Sequence, residues 1–110
     1  MKYLAIIIRT ENNSIEVSSD GINLNVIKTL VDNINSVAMN YYRDELDFLE
    51  FQEGSITVCH HIGIKIFCLS PTKEKQDLTH IYSMYTEAMI KDDMDTLTKQ
   101  LKECLINVNT

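Results

Sequence analysis

The 110-residue chain has no tryptophan, one proline, three glycines and three cysteines. So few turn formers exclude an all-β architecture strung together by many tight turns. Cys59, Cys68 and Cys104 are odd in number and lack short spacings, so they do not make a disulfide framework. Reduced thiols in a cytoplasmic protein are the expectation. Positive charge is scarce too: ten basic residues face sixteen acidic ones, a formal net charge of −6. No basic stripe is present to neutralise phosphates, so nucleic acid is not an expected partner, and an anionic membrane surface is disfavoured for the same reason. Apolar runs fall well short of the roughly 20 residues of a membrane span. The run from Tyr3 to Ile8 ends at Arg9 without a small-residue cleavage site, so it reads as a strand and not as a signal peptide. Lys2 follows Met1, which leaves no glycine for myristoylation. The glycine motifs of phosphate loops, dinucleotide folds and nucleophile elbows are missing as well.

What is present is an apolar content of 45% in a length that suits one domain over residues 1–110. Lys2 to Arg9 reads as a strand buried on both faces, because its apolar residues are continuous. Glu11-Asn12-Asn13 is turn chemistry, and Ser14 to Ser18 alternates like a half-exposed edge strand. A helix is expected from about Asn23 to Tyr42, with Ile27, Leu30, Val31, Ile34, Ala38 and Tyr41 on one stripe and Val26 and Val37 widening it. Three short strands follow: Leu46 to Phe51, Ser55 to His61 and Ile64 to Leu69. Pro71 stops the last of them and suits the start of a helix. That helix, Asp77 to Lys91, carries Leu78, Ile81, Tyr82, Tyr85 and Met89 on one stripe. A final helix, capped by Asp93 or Asp95, carries Leu97, Leu101, Cys104, Leu105 and Val108, and the end from Asn107 should fray. The order β-β-α-β-β-β-α-α implies an α/β (α+β) three-layer sandwich around a mostly antiparallel five-stranded sheet. The two strands that are apolar on both sides belong in its centre, giving the spatial order 2-1-5-4-3. The first helix should cover one face and the two C-terminal helices the other.

Few residues offer chemistry. Cys59-His60-His61 is a cluster, with Cys68 across a hairpin. Alternation puts Cys59 and His61 on one face and His60 on the other; a three-residue turn would place Cys68 with His60. Zinc needs four convergent ligands and a thiol nucleophile needs an oriented base, and neither set is evident. Core cysteines beside a solvated histidine are the plainer reading. The acids Asp44, Glu45, Asp47 and Glu50, and Asp92, Asp93 and Asp95, lack the spacing of a calcium loop and read as solvated rims and caps. His80 reads as a surface residue. The expectation is a protein that is not an enzyme and needs no cofactor or metal.

The aromatic residues carry a different signal. Tyr41 and Tyr42 diverge by about 100° on a helix and cannot both enter one core. Phe48 and Phe51 lie on opposite faces of an edge strand. Exposed tyrosine beside an unpaired strand edge is the material of a protein contact surface. Tyr41, Tyr42, Leu46, Phe48, Leu49 and Phe51 are therefore the candidate partner-interface residues.

Three segments add a family resemblance. Phe48-Leu49-Glu50-Phe51-Gln52, then Gly63-Ile64-Lys65-Ile66-Phe67, then the helix from Thr79 to Lys91 with His80-Ile81-Tyr82, Tyr85, Glu87 and Lys91 occur in the order seen in longin-type subunits. Over roughly Ile27 to Leu105 the chain resembles the longin-domain family, and within it the small, sedlin-like core subunits of the TRAPP vesicle-tethering complex. It departs where Asp92-Asp93 replaces the Asn-Pro usual in the family. The resemblance implies a longin-like fold and a non-catalytic scaffold role in ER-to-Golgi vesicle transport. Other longin-type or TRAPP-like subunits would be partners in a homo- or heterodimer, and a Rab-type small GTPase would be engaged through the complex. It also implies a cytoplasmic location, peripheral to Golgi or ER membranes through that complex. An adaptor-type or prokaryotic longin module is the alternative, and a Cys/His metal protein the rival class.

Overall fold

The computed structural model describes residues 2–106. Its elements run β1 (Ala5–Thr10), β2 (Ser14–Ser18), α1 (Leu24–Tyr42), β3 (Phe48–Glu50), β4 (Ser55–His61), β5 (Ile64–Ser70), α2 (Thr79–Lys91) and α3 (Met94–Glu103). The five strands form one sheet in the order β2-β1-β5-β4-β3, with every neighbouring pair antiparallel. This is the expected element order and strand order.

Alternation along the two central strands builds two cores. Ile6 and Ile8 of β1, with Ile66 and Cys68 of β5, pack against Ile81, Tyr85 and Ala88 of α2 and Leu97 and Leu101 of α3. Ala5 and Ile7, with Phe67, Ile56 and Val58, pack against Ile27 and Val31 of α1. One strand thus serves both layers, which is why its sequence is unbroken and apolar. Each fully buried isoleucine contributes about 1.5–3 kcal/mol through desolvation.

The helix ends follow local chemistry. The Asn23 side chain accepts from the backbone N–H groups of Asn25 and Val26 and caps α1. Asp77 accepts from both the N–H and the hydroxyl of Thr79 at the start of α2. Of the two acids considered for α3, Asp93 is the cap, accepting from the Thr96 N–H. Arg43 (φ 57°) and Asp92 (φ 54°) end α1 and α2 in the left-handed conformation.

Several expectations are corrected. The first strand starts at Ala5, not Lys2. The N–H groups of Lys2 and Tyr3 donate to the Cys104 carbonyl, and Tyr3 forms a parallel bridge with Leu105. The third strand shrinks from Leu46–Phe51 to Phe48–Glu50. The Leu46 N–H is taken by the Asn35 side chain at 2.7 Å, and the Phe51 N–H by the Gly54 carbonyl. Pro71 does not open a helix. A loop follows β5, held to β4 by the Ser55 hydroxyl on the Thr72 carbonyl and the Gln76 N–H on the Thr57 hydroxyl.

On α1 only Ile27 and Val31 are buried. Val26, Val37 and Tyr41 face solvent, and Leu30, Ile34 and Ala38 are half-buried. At about 28 Å, the helix is longer than the sheet is wide (about 19 Å) or its strands are long (about 23 Å), so it overhangs. On α2 the core stripe is Ile81, Tyr85 and Ala88, which leaves Met89 exposed. Leu105 is buried beyond the end of α3. Val108 and the fraying expected from Asn107 lie outside the described residues.

Candidate partner interface

The end of α1 leads directly into β3, and the Asn35 side chain of α1 holds the Leu46 N–H just before that strand. Among the described residues β3 is bonded only to β4, pairing Phe48 with Thr57, Leu49 with Ile56 and Glu50 with Ser55. Its outer row of backbone donors and acceptors is unpaired in the sheet. Leu46, Leu49 and Phe51 are half-buried against the α1-side core. Phe48, opposite Thr57, lies on the other face, so Phe48 and Phe51 diverge as expected. Tyr41 is 78% and Tyr42 79% exposed. Of the six candidate residues, therefore, Tyr41 and Tyr42 are free, Leu46, Leu49 and Phe51 have one side committed to the α1-side core, and Phe48 is half-buried on the opposite face.

Sequence reasoning placed Val26 and Val37 in the core and so missed them here. They are 60% and 53% exposed. With half-buried Leu30, and with Asn33 between them, they lead along α1 to Tyr41 at the i, i+4, i+7, i+11, i+15 spacing of one helix face. The helical angle carries the signal: each neighbours a position on the sheet-facing stripe, buried Ile27 or half-buried Ala38, and so points about 100° away from it.

Acids are dense in the stretch from the end of α1 to the start of β4. Asp44, Glu45, Asp47, Glu50 and Glu53 are all exposed. Asp47 pairs with Lys75 at 2.7 Å, and that hydrogen bond holds its carboxyl below the usual range. His60 ties the segment before β3 to β4: its Nε2 lies 2.8 Å from the Leu46 carbonyl, which can only accept, and its Nδ1 lies 3.3 Å from Glu45.

The Cys/His cluster is arranged differently. Cys59 and His61 share the α2 side of the sheet and His60 the α1 side, as alternation required. The hairpin turn has two residues, Ile62 and Gly63 (φ 75°), because His61 pairs with Ile64. Cys68 therefore pairs with Thr57 and shares the face of Cys59, not that of His60, which corrects the three-residue reading. Cys59 Sγ lies 3.2 Å from His61 Nε2, and the His61 ring stacks on Tyr82 with centroids 3.8 Å apart. Burial pushes the thiols of Cys59, Cys68 and Cys104 up, the opposite of what a thiolate nucleophile requires. Among the described residues no three His, Cys, Asp or Glu side chains converge on a point that could hold a metal ion.

His80 is half-buried and not on the surface. Its Nε2 lies 3.4 Å from the Tyr3 hydroxyl, and burial lowers its pKa and raises that of Tyr3. Asp92 and Asp93 serve as helix caps. Among the described residues no helix is long and apolar enough to cross a membrane. No protein-family model matches the chain, and no curated protein matches it.

Proposed function

We propose that the protein is a non-catalytic scaffold subunit of the longin type, working in a TRAPP-like vesicle-tethering complex that supports nucleotide exchange on a Rab-type small GTPase. The observation that favours a binding role is the exposure of Tyr41 and Tyr42 at the end of α1, just ahead in the chain of the edge strand β3. Tyrosine supplies a large contact area for little conformational entropy, and an open edge supplies backbone hydrogen bonds in register. The mechanism is continuation of the sheet into a partner longin while the outer face of α1 is covered. Sites for the GTPase are then built by the assembly and not by this chain alone. The location is cytoplasmic, peripheral to ER or Golgi membranes through the complex. The family component of this reading rests on the three segments that resemble longin subunits.

Affinity purification from the native cell, followed by mass spectrometry, tests it. Longin-type tethering subunits should co-elute with the wild type and be lost with Tyr42→Asp, which puts a charge on the exposed face and spares both cores. Recovery of no longin-type protein, or an unchanged set with Tyr42→Asp, would overturn the reading.

A further inference from the structure

A cavity of about 170 Å³ opens on the sheet face opposite α1, where the β1–β2 turn meets the corner between α2 and α3. Ile8, Ile15, Tyr85 and Met94 form its apolar wall, and Thr10 and Asp92 stand among its polar lining. Its surroundings are open: Met89, which also lines it, is 53% exposed, and the adjoining Ile90 is 85% exposed.

Asp92 is held here by the left-handed end of α2, at φ 54°. Among the described residues its carboxylate takes part in no ion pair. Two cations that neighbour lining residues in sequence, Lys91 beside Asp92 and Arg9 beside Thr10, are committed elsewhere. Lys91 binds Glu87 at 2.7 Å, and Arg9 binds Asp32 of α1 at 2.9 Å while lying over the Phe67 ring, on the other face of the sheet. The Thr10 hydroxyl donates to the Asn13 carbonyl, which leaves its own lone pairs to accept. The site thus sets an apolar trough beside Asp92, whose carboxylate is in no ion pair among the described residues, and Thr10, in a chain of net charge −6.

We propose that this cavity is a binding site for an alkyl cation, and that its occupant is an arginine side chain presented by a partner protein. The aliphatic stem would lie along Ile8, Ile15, Tyr85 and Met94, and the guanidinium would meet Asp92, whose two oxygens match its planar pair of donors. Hydrocarbon alone would leave the carboxylate unused, and a bare metal ion would leave the apolar wall unused. This site lies across the sheet from the α1–β3 surface and does not depend on that surface being an interface.

The probes are butylguanidinium and its neutral isostere butylurea, added to the full chain carrying ¹³C-methyl methionine. Met89 and Met94 line the cavity, and Met39 on α1 is an internal control. Butylguanidinium should shift the Met89 and Met94 methyls in a saturable way and leave Met39 unmoved. Butylurea should bind at least about threefold more weakly, the scale of one partly exposed charge pair. Asp92→Asn, which keeps a residue tolerant of the left-handed conformation, should reduce butylguanidinium to the butylurea level. Equal binding of the two probes, binding unaffected by Asp92→Asn, or no saturable shift at millimolar probe would overturn the proposal.

Discussion

Gly54 has no side chain because a Cβ at this position would collide with the carbonyl oxygen of Ser70, a backbone atom that cannot swing aside. The contact sits where the turn before β4 passes the end of β5. Gly54→Ala should therefore destabilise by about 1–3 kcal/mol, read as a lower urea midpoint at unchanged slope. Core positions differ by how completely they are enclosed. Ile81 is fully buried between sheet and helices, so Ile81→Ala should cost about 2–5 kcal/mol. Ile34 is half-buried on α1, and Ile34→Ala should cost clearly less than Ile81→Ala in the same assay. His80 gives a pH signature. Burial lowers its pKa below the ordinary 6.5, so the folded state disfavours the imidazolium and the unfolded state binds more protons. Stability should be insensitive to this group above about pH 6.5 and fall as the pH drops below it. The carboxyls of Glu16 and Asp47, held low by Lys28 and Lys75, act only in the more acidic range below their ordinary values. Urea midpoints measured at mildly alkaline and mildly acidic pH should thus fall with acidification in the wild type, and less so in His80→Gln.

At the scale of elements, caps and edges decide where structure stops. Asp93 satisfies the Thr96 N–H at the start of α3, a helix of only ten residues. Asp93→Ala should lower thermal stability by about 1 kcal/mol, the usual worth of an N-cap side chain. How much of this was legible in the sequence depended on whether a feature is local. Strand β1 announces itself through its unbroken apolar run, β5 through Ile66 to Leu69, and the cap at Asp93 through an acid before an apolar period. β3 does not, because the amide of Leu46 is claimed by Asn35, a residue of the preceding helix. The late start of α2 is equally tertiary: the segment after Pro71 is held by β4 hydroxyls and not by its own propensity. The outward stripe of α1 was half legible. The divergence of Tyr41 and Tyr42 points to a second face, whereas the hydrophobicity of Val26 and Val37 suits a core and only their helical angle sets them outside it. The face shared by Cys59 and Cys68 turned on a single residue of turn length at Ile62-Gly63.

At the scale of the whole molecule, one sheet is covered on both faces, by α1 on one and by α2 with α3 on the other. β2 and β3 form the two ends of the sheet, and β3 follows in the chain the α1 end that carries the exposed tyrosines. The surface is acidic around this end and apolar along α1, an arrangement suited to a partner that brings its own apolar ridge and positive rim. The central claim is that this end of the molecule is covered by another protein in the cell. Photo-crosslinking from a benzoylphenylalanine placed at Tyr42, compared with the same group at exposed Lys99 on α3, tests it most directly. A discrete protein adduct should form from position 42 and none of the same mass from position 99. A discrete adduct from position 99 with none from position 42 would contradict it.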